Sequence, residues 1–275
     1  FEGVAFTGNF NGNNFIISDL RINRTDENGM GLFGVIESGS VVNIGLLDAE
    51  IHGKSLTGGL AGILRGATLQ NIFVHGSVTG SFIGPDGGLS GSVQSGSFIS
   101  KTFTDIKVTS TGAGVGGLVG SLRDGSTIEY SYSIGDVSAG VNSGNSNTGG
   151  LVGEIFESTI RDSYSAGNVE ADGNNIGGLI GSTDESKETV VINSFWDTQT
   201  SGLSTSAGGT GKTIAQMQNL STFTDAGWDF TGETGVWAIE QGNRVSYPYL
   251  QSIDYDDPGA TPAVNPIPGL SGPLY

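Results

Sequence analysis

The sequence predicts an all-β fold: a parallel β-solenoid (β-helix) with coils of about 29 residues, capped by an irregular aromatic C-terminal segment. Three observations carry this expectation. A Gly-Leu string recurs six times at near-constant spacing. Apolar residues recur at matching positions between the strings. Glycine makes up 48 of the 275 residues. Each glycine costs a helix about 1 kcal/mol relative to alanine, which leaves strand and turn.

In chain order, residues 6–22 ("FTGNFNGNNFIISDLRI") read as a lead-in coil. The strings GLFG, GGLAG, GGLSG, GGLVG, GGLVG and GGLIG follow, with leucines Leu32, Leu60, Leu89, Leu118, Leu151 and Leu179. Their spacings are 28, 29, 29, 33 and 28 residues. About nine residues after each leucine comes a second column, Val41, Leu69, Phe98, Ile128, Ile160 and Val191. Four residues further on stand Gly45, Phe73, Thr102, Tyr132, Tyr164 and Phe195. A third column holds Ile51, Val78, Val108, Val137 and Val169. The alternation from Ile128 through Tyr130 to Tyr132 predicts a strand with one buried face.

One such unit cannot bury its own apolar side, whereas stacked like units cover one another. The glycine pairs suit corners of positive φ, or places without room for a side chain. Asn43, Asn71, Ser100, Tyr130, Asp162 and Asn193 align as a polar column able to hydrogen-bond along the stack. About seven coils at about 4.8 Å each make a rod of roughly 35 Å. Length varies at 142–148 and 182–188, which marks corners that project from the stack. The lead-in shows no amphipathic cap: either the cap was cut away or another chain covers that free edge. Phe1 in place of a start methionine reads as a mature form or an excised piece.

The repeat ends near Ser194, giving three expected parts. Residues 1–194 form the solenoid, 195–250 a capping segment with one short helix, and 251–275 a proline-rich tail or linker. The cap aromatics are Trp196, Trp228, Trp237, Tyr247 and Tyr249. They suit an open solenoid end; the sharper alternative is a platform on which sugars stack. "SAGGTGKT" at 206–213 imitates a phosphate loop, but Ser206 stands where that pattern needs glycine. Thr213 and Gln216 instead form a capping box for one short helix.

The strings, the segments "ATLQNIFVHGSVTG" and "STIRDSYSAGNVEADG", and the closing "SFWDTQTSGLSTSAGGTGKTIAQMQNLSTF" with "WDF…VWAIEQGNRVSYPYL" resemble the GLUG-motif repeat family. That family occurs in bacterial secreted and surface adhesin-like proteins, filamentous-haemagglutinin-like exoproteins among them, and beside some secreted peptidases. The resemblance implies a β-helix at the cell surface or outside the cell. It carries over no catalytic residue. The ending "NPIPGLSGPLY" is similar to the start of Gram-negative sorting signals, without their apolar helix and basic end.

A net charge of −17 disfavours nucleic-acid partners. No apolar run reaches membrane-spanning length. Without cysteine there is no disulfide, thiolate catalysis or Cys-ligated zinc. His52 and His75 lie in different columns and make no ligand pair. Asp184, Glu185 and Glu188, and Asp254, Asp256 and Asp257, are the densest acidic clusters. They read as solvated turns, with weak Ca²⁺ ligation as the alternative. No cofactor is expected. Asp48 and Asp105 share a column with Gly76 between them, about 9.6 Å apart. That is just beyond the carboxylate spacing of inverting glycosidases, about 6.5–9.5 Å. Asp136 stands one column over.

The expected function is a non-catalytic structural or adhesive module of a secreted bacterial surface protein. It would present corner loops to an extracellular protein or glycan, or join end to end into filaments. The alternative is a carbohydrate-binding or glycan-cleaving β-helix protein.

Overall fold

A computed structural model describes residues 4–140, 146–184, 186–242 and 245–253. It is 54% strand and 5% helix, a parallel β-solenoid of about 6 turns with a spacing of about 29 residues. The turn count is one fewer than the sequence spacing suggests. Three faces build each full coil. The first is a six-stranded ladder of Phe33–Glu37, Ala61–Arg65, Ser90–Gln94, Val119–Leu122, Val152–Ile155 and Ile180–Thr183. The second and longest begins with Asn9–Ser18 and Arg21–Asn28, then Ser40–Ser55, Thr68–Gly80 and Phe98–Ser110. Later coils break this face into shorter strands such as Thr127–Glu129, Tyr132–Ser133 and Val137–Ala139. The third face stacks Asp86–Gly87, Gly114–Gly116, Asn147–Gly149 and Asn175–Gly177.

The bore is filled by columns of like residues. Leu60, Leu89, Leu118, Leu151 and Leu179 are fully buried, and Leu32 packs half-buried on the same core. Ile51, Val78, Val108, Val137 and Val169 pair coil to coil as their spacing predicts. The paired glycines after each corner do not adopt positive φ. They are needed because backbone passes over backbone. A Cβ on Gly88 would stand 2.1 Å from the Gly117 carbonyl oxygen, and one on Gly117 would stand 2.2 Å from that of Gly150.

Two expectations are corrected. In the third full coil the second column is Ile99, not Phe98, and the next is Phe103, not Thr102: Leu69 pairs with Ile99 and Phe73 with Phe103. The corner before Ile99 carries one residue more than the corner before Leu69, ten residues after Leu89 against nine after Leu60. A one-residue slip moves every side chain to the opposite face. Second, Ile128 and Tyr132 do not share a face. A left-handed residue between them resets the alternation: Asn43, Asn71, Lys101, Tyr130, Asp162 and Asn193 all have φ between 47° and 56°. Lys101 therefore replaces Ser100 in the polar column. Asparagine and aspartate tolerate this conformation better than other side chains. Asn71 Nδ2 donates to Asn43 Oδ1 at 2.9 Å, and Asn43 Nδ2 to Asn11 Oδ1 at 3.1 Å.

The reset throws Phe73, Phe103, Tyr132, Tyr164 and Phe195 to the outside of the long face. The rings stack, with Phe103–Tyr132 and Tyr132–Tyr164 centroids 4.8 and 4.9 Å apart and planes within 10°. The C-terminal segment covers them. Met217, Phe223, Trp228, Trp237, Tyr247, Leu250 and Ile253 form a second apolar core on this flank.

Leu118→Ala should cost about 2–5 kcal/mol in a urea titration, because the cavity lies between two fully packed coils. Gly117→Ala should be comparably damaging. A Leu118→Ala variant with unchanged stability would show that this column does not carry the core.

Candidate functional site

The C-terminal segment has two parts. Residues 198–212 close the last coil. Thr210–Lys212 continues the parallel ladder on Phe195–Asp197, and Ser206 Oγ accepts from the amides of Leu179 and Ile180 at 3.2 and 2.9 Å. The phosphate-loop look-alike thus lies in the closing turn and its strand. Thr213 then caps the helix Ile214–Met217, with the Gln216 side chain completing the capping box. From there the chain runs back along the flank. Ser252 Oγ reaches Asn71 Oδ1 at 3.0 Å, several coils from the end where the segment began.

This path fixes the five cap aromatics. Trp196 Nε1 donates to Leu203 O at 3.1 Å and Trp228 Nε1 to Asn193 O at 2.9 Å. Trp228 stacks on Trp237 at 4.6 Å, and Trp237 leans on Tyr132 and Tyr164. Tyr164 donates its hydroxyl to Pro248 O at 2.7 Å. Trp196, Trp228, Trp237 and Tyr247 are buried and Tyr249 is half-buried. Trp228, Trp237 and Tyr247 thus turn their rings onto other rings of the flank and the long face.

One buried carboxylate anchors the flank. Asp197 accepts from the amides of Gln199 and Thr200 at 2.7 and 3.1 Å and from the Tyr247 hydroxyl. Burial, with the hydrogen bond to Asp197 next, pushes the Tyr247 phenol far above the usual tyrosine range. Burial and Glu240 push Tyr249 up to about 12.

Outside this flank, Asp48, His75, Asp105 and Asp136 lie near one another along the long face. Asp48 stands in a bulge between Leu46 and Ala49, at φ 53°. The residue in register with Asp105 is His75, not the expected Gly76, because the added residue at the 95–97 corner shifts the whole strand by one. His75 Nδ1 lies 3.1 Å from Asp48 Oδ1. Burial raises the Asp105 carboxyl; His75 opposes that shift and Asp136 adds to it. Asp136 in turn accepts from the Asn168 amide at 3.1 Å. His52 sits apart, 3.2 Å from Glu50.

Asp184 is half-buried and accepts from the Ser186 hydroxyl and amide, which hold its carboxyl below the usual range. Glu188 lines a shallow concavity of about 400 Å³ with Gly125, Glu157, Ser158, Thr159 and Val190. Lys187 occupies the neighbourhood, 2.6 Å from Glu157. Among the described residues no group of three or more His, Cys, Asp or Glu is placed to hold a metal ion. Glu185, Asp254, Asp256 and Asp257 lie outside the described residues. No described helix is long and apolar enough to cross a membrane.

Comparison with known proteins supports the GLUG resemblance: the GLUG motif matches residues 144–170. The chain is 37% identical over 132 residues to a putative Gly-rich membrane protein of Evansella cellulosilytica, covering 47% of this chain and 15% of that protein. It is 32% identical over 256 residues to halomucin of Haloquadratum walsbyi, covering 91% of this chain and 3% of that protein. It is 29% identical over 177 residues to an immunoglobulin A1 protease of Streptococcus sanguinis, 62% of this chain and 9% of that protein. The chain thus spans a small part of each curated relative. A crystal structure of a putative immunoglobulin A1 protease from Bacteroides ovatus superposes with a TM-score of 0.61 at 18% identity. It covers 88% of this chain and 76% of that one, and shows the shared fold.

Tyr247→Phe should destabilise the flank by about 1–3 kcal/mol, since it leaves Asp197 buried without one donor. The raised phenol pKa gives a contribution present below the ordinary tyrosine value and lost as pH rises above it. Wild-type tryptophan fluorescence should therefore report loosening of the flank above about pH 10, and Tyr247→Phe should lose that part of the pH dependence.

Proposed function

Because the chain carries the GLUG motif in a stack of like coils, we propose that it is a non-catalytic module of a cell-surface or secreted protein. Its contacts are made by the corner loops that project from the rod. The observation that carries this reading is how the side chains are used. The apolar columns fill the bore, the outer aromatic ladder is consumed by the C-terminal flank, and serines and threonines bond to neighbouring coils. Ser97 and Ser126, for example, take up amides of adjacent coils at 3.1 and 3.2 Å. The corners are what such a rod has left to vary. About six coils at about 4.8 Å make it roughly 29 Å long. Relatives described as a membrane protein and as halomucin support the surface placement.

In this reading 1–194 is the displayed rod, 195–250 its closing and flanking segment, and 251–275 a tail or linker whose first residues, through Ile253, still pack on that flank. A glycan-cleaving role is the second reading, and the specific observation behind it is the Asp48–His75–Asp105 ridge. A catalyst needs acid and base groups converging on a concave site, and these stand in a row along a ridge.

The test pairs binding with turnover. The purified chain should bind components of extracellular-matrix and glycan arrays without releasing reducing ends. Binding should fall when the 182–188 corner is shortened, with the β-type circular dichroism unchanged. Reproducible cleavage abolished by Asp105→Asn would replace this proposal with the enzyme reading.

A further inference from the structure

One carboxyl of the third face is buried among side chains that carry no charge. Asp86 stands on the third face and is fully buried, in a column with Thr57 on one side and Val115 and Thr148 on the other. Its neighbours in that column are apolar or hydroxyl side chains of similar size, so packing gives no reason for a carboxyl there. Asp86 Oδ1 accepts from the Thr57 amide at 2.8 Å, and Oδ2 lies 2.6 Å from Ser110 Oγ, which takes the Gly112 amide at 2.9 Å. Gly80 is tight against it: a Cβ there would fall 1.9 Å from Oδ2. Three stretches of chain therefore meet at this side chain: the corner at Thr57, the strand end at Gly80, and the corner 110–112.

Immediately before Asp86 the loop 81–85 leaves the stack. Phe82 and Ile83 at its tip are about half exposed, at 50% and 49%. Lys54 places its ammonium 4.8 Å from the centre of the Phe82 ring. Ser81 is the loop's other tie, its amide donating to Lys54 O at 3.1 Å. The loop is thus tied at Ser81 and at Asp86, with Gly84 packed close to Ser55 and Gly112 and the apolar pair exposed between.

We propose that the 81–86 corner is a proton-controlled latch, closed on the stack while Asp86 is protonated and released, with Phe82 and Ile83, when that carboxyl gives its proton to water. The groups packed on Asp86 supply no compensating charge. Thr57, Ser110 and Gly112 offer amides and hydroxyls, Gly80 and Val115 offer none, and Lys54 is directed at Phe82. Burial raises the carboxyl from 3.8 to about 6, against the opposing hydrogen bonds from Ser110 and Thr57. The closed corner therefore holds the proton more tightly than the open one. Closure is strongest below about pH 4, weakens as pH rises through about 6, and levels off beyond that.

Amide hydrogen exchange read residue by residue, corrected for the intrinsic pH dependence, tests the latch. In the wild type the Thr57 and Gly112 amides should open roughly tenfold more often at pH 8 than at pH 5. They should also exchange faster than the Leu118 amide, which lies in the mid-stack ladder. In Asp86→Asn, which keeps the shape and cannot ionise, the pH dependence should vanish. Asp86→Val, taking the residue of its ladder partner Val115, should behave the same way and guards against one variant failing to fold. The proposal is overturned if Thr57 opens equally at both pH values in the wild type. It is also overturned if the pH dependence persists in the variants, or if Thr57 exchanges no faster than Leu118.

Discussion

Backbone passing directly over backbone at the glycine pairs is the contact on which the stack depends. Successive coils of a parallel ladder must sit about 4.8 Å apart. At the turn between the third face and the first, the carbonyl of one coil occupies the space where the next would place a side chain. Gly88, Gly117 and Gly150 each meet the following carbonyl at 2.1–2.2 Å from an added Cβ. Removing side chains there lets the neighbouring leucines point inward at every level. The Gly-Leu string is therefore one device with two parts: the glycine sets the approach and the leucine fills the space behind it.

A second constraint, the left-handed residue in the long face, explains why this protein has two apolar clusters. It makes both Ile72 and Leu69 inward while Phe73 turns out. The outward ladder of rings would be a large exposed apolar strip if left bare. The flank built on Trp228, Trp237 and Tyr247 converts it into interior, and the Asp197–Tyr247 contact ties that cover to the last coil. The C-terminal aromatics thus serve the side of the rod as much as its end.

The stack itself was legible in the sequence because like-on-like packing repeats in the chain as well as in space. The leucines and the valine column needed only counting. What escaped counting were single-residue events. One added residue at the 95–97 corner shifted Ile99 and Phe103 by one. The left-handed position broke an alternation that looked continuous from Ile128 to Tyr132. The same added residue set His75, not Gly76, beside Asp105, while a bulge at Asp48 brought that carboxylate to His75 from the other side. In each case the composition barely changes while the facing of side chains inverts. The flank was legible as an aromatic cluster, but not its direction, since nothing local to Trp228 or Trp237 says that they return over Tyr132 and Tyr164.

A solenoid also indicates where to look for what is particular to one chain. Ladder positions are held to a narrow choice, because each residue must pack on its own kind above and below. Departures from a column are then informative. Lys101 breaks the asparagine column, His75 stands between two aspartates, and Asp86 interrupts a column of threonine, valine and isoleucine. Lys101 and His75 face outward, where a change of side chain costs the stack little. Asp86 faces inward, where burying a carboxyl opposes folding unless it is neutral or hydrogen-bonded. Asp86 meets that requirement through Thr57 and Ser110, and the corner it ties in this way is the one that displays Phe82 and Ile83.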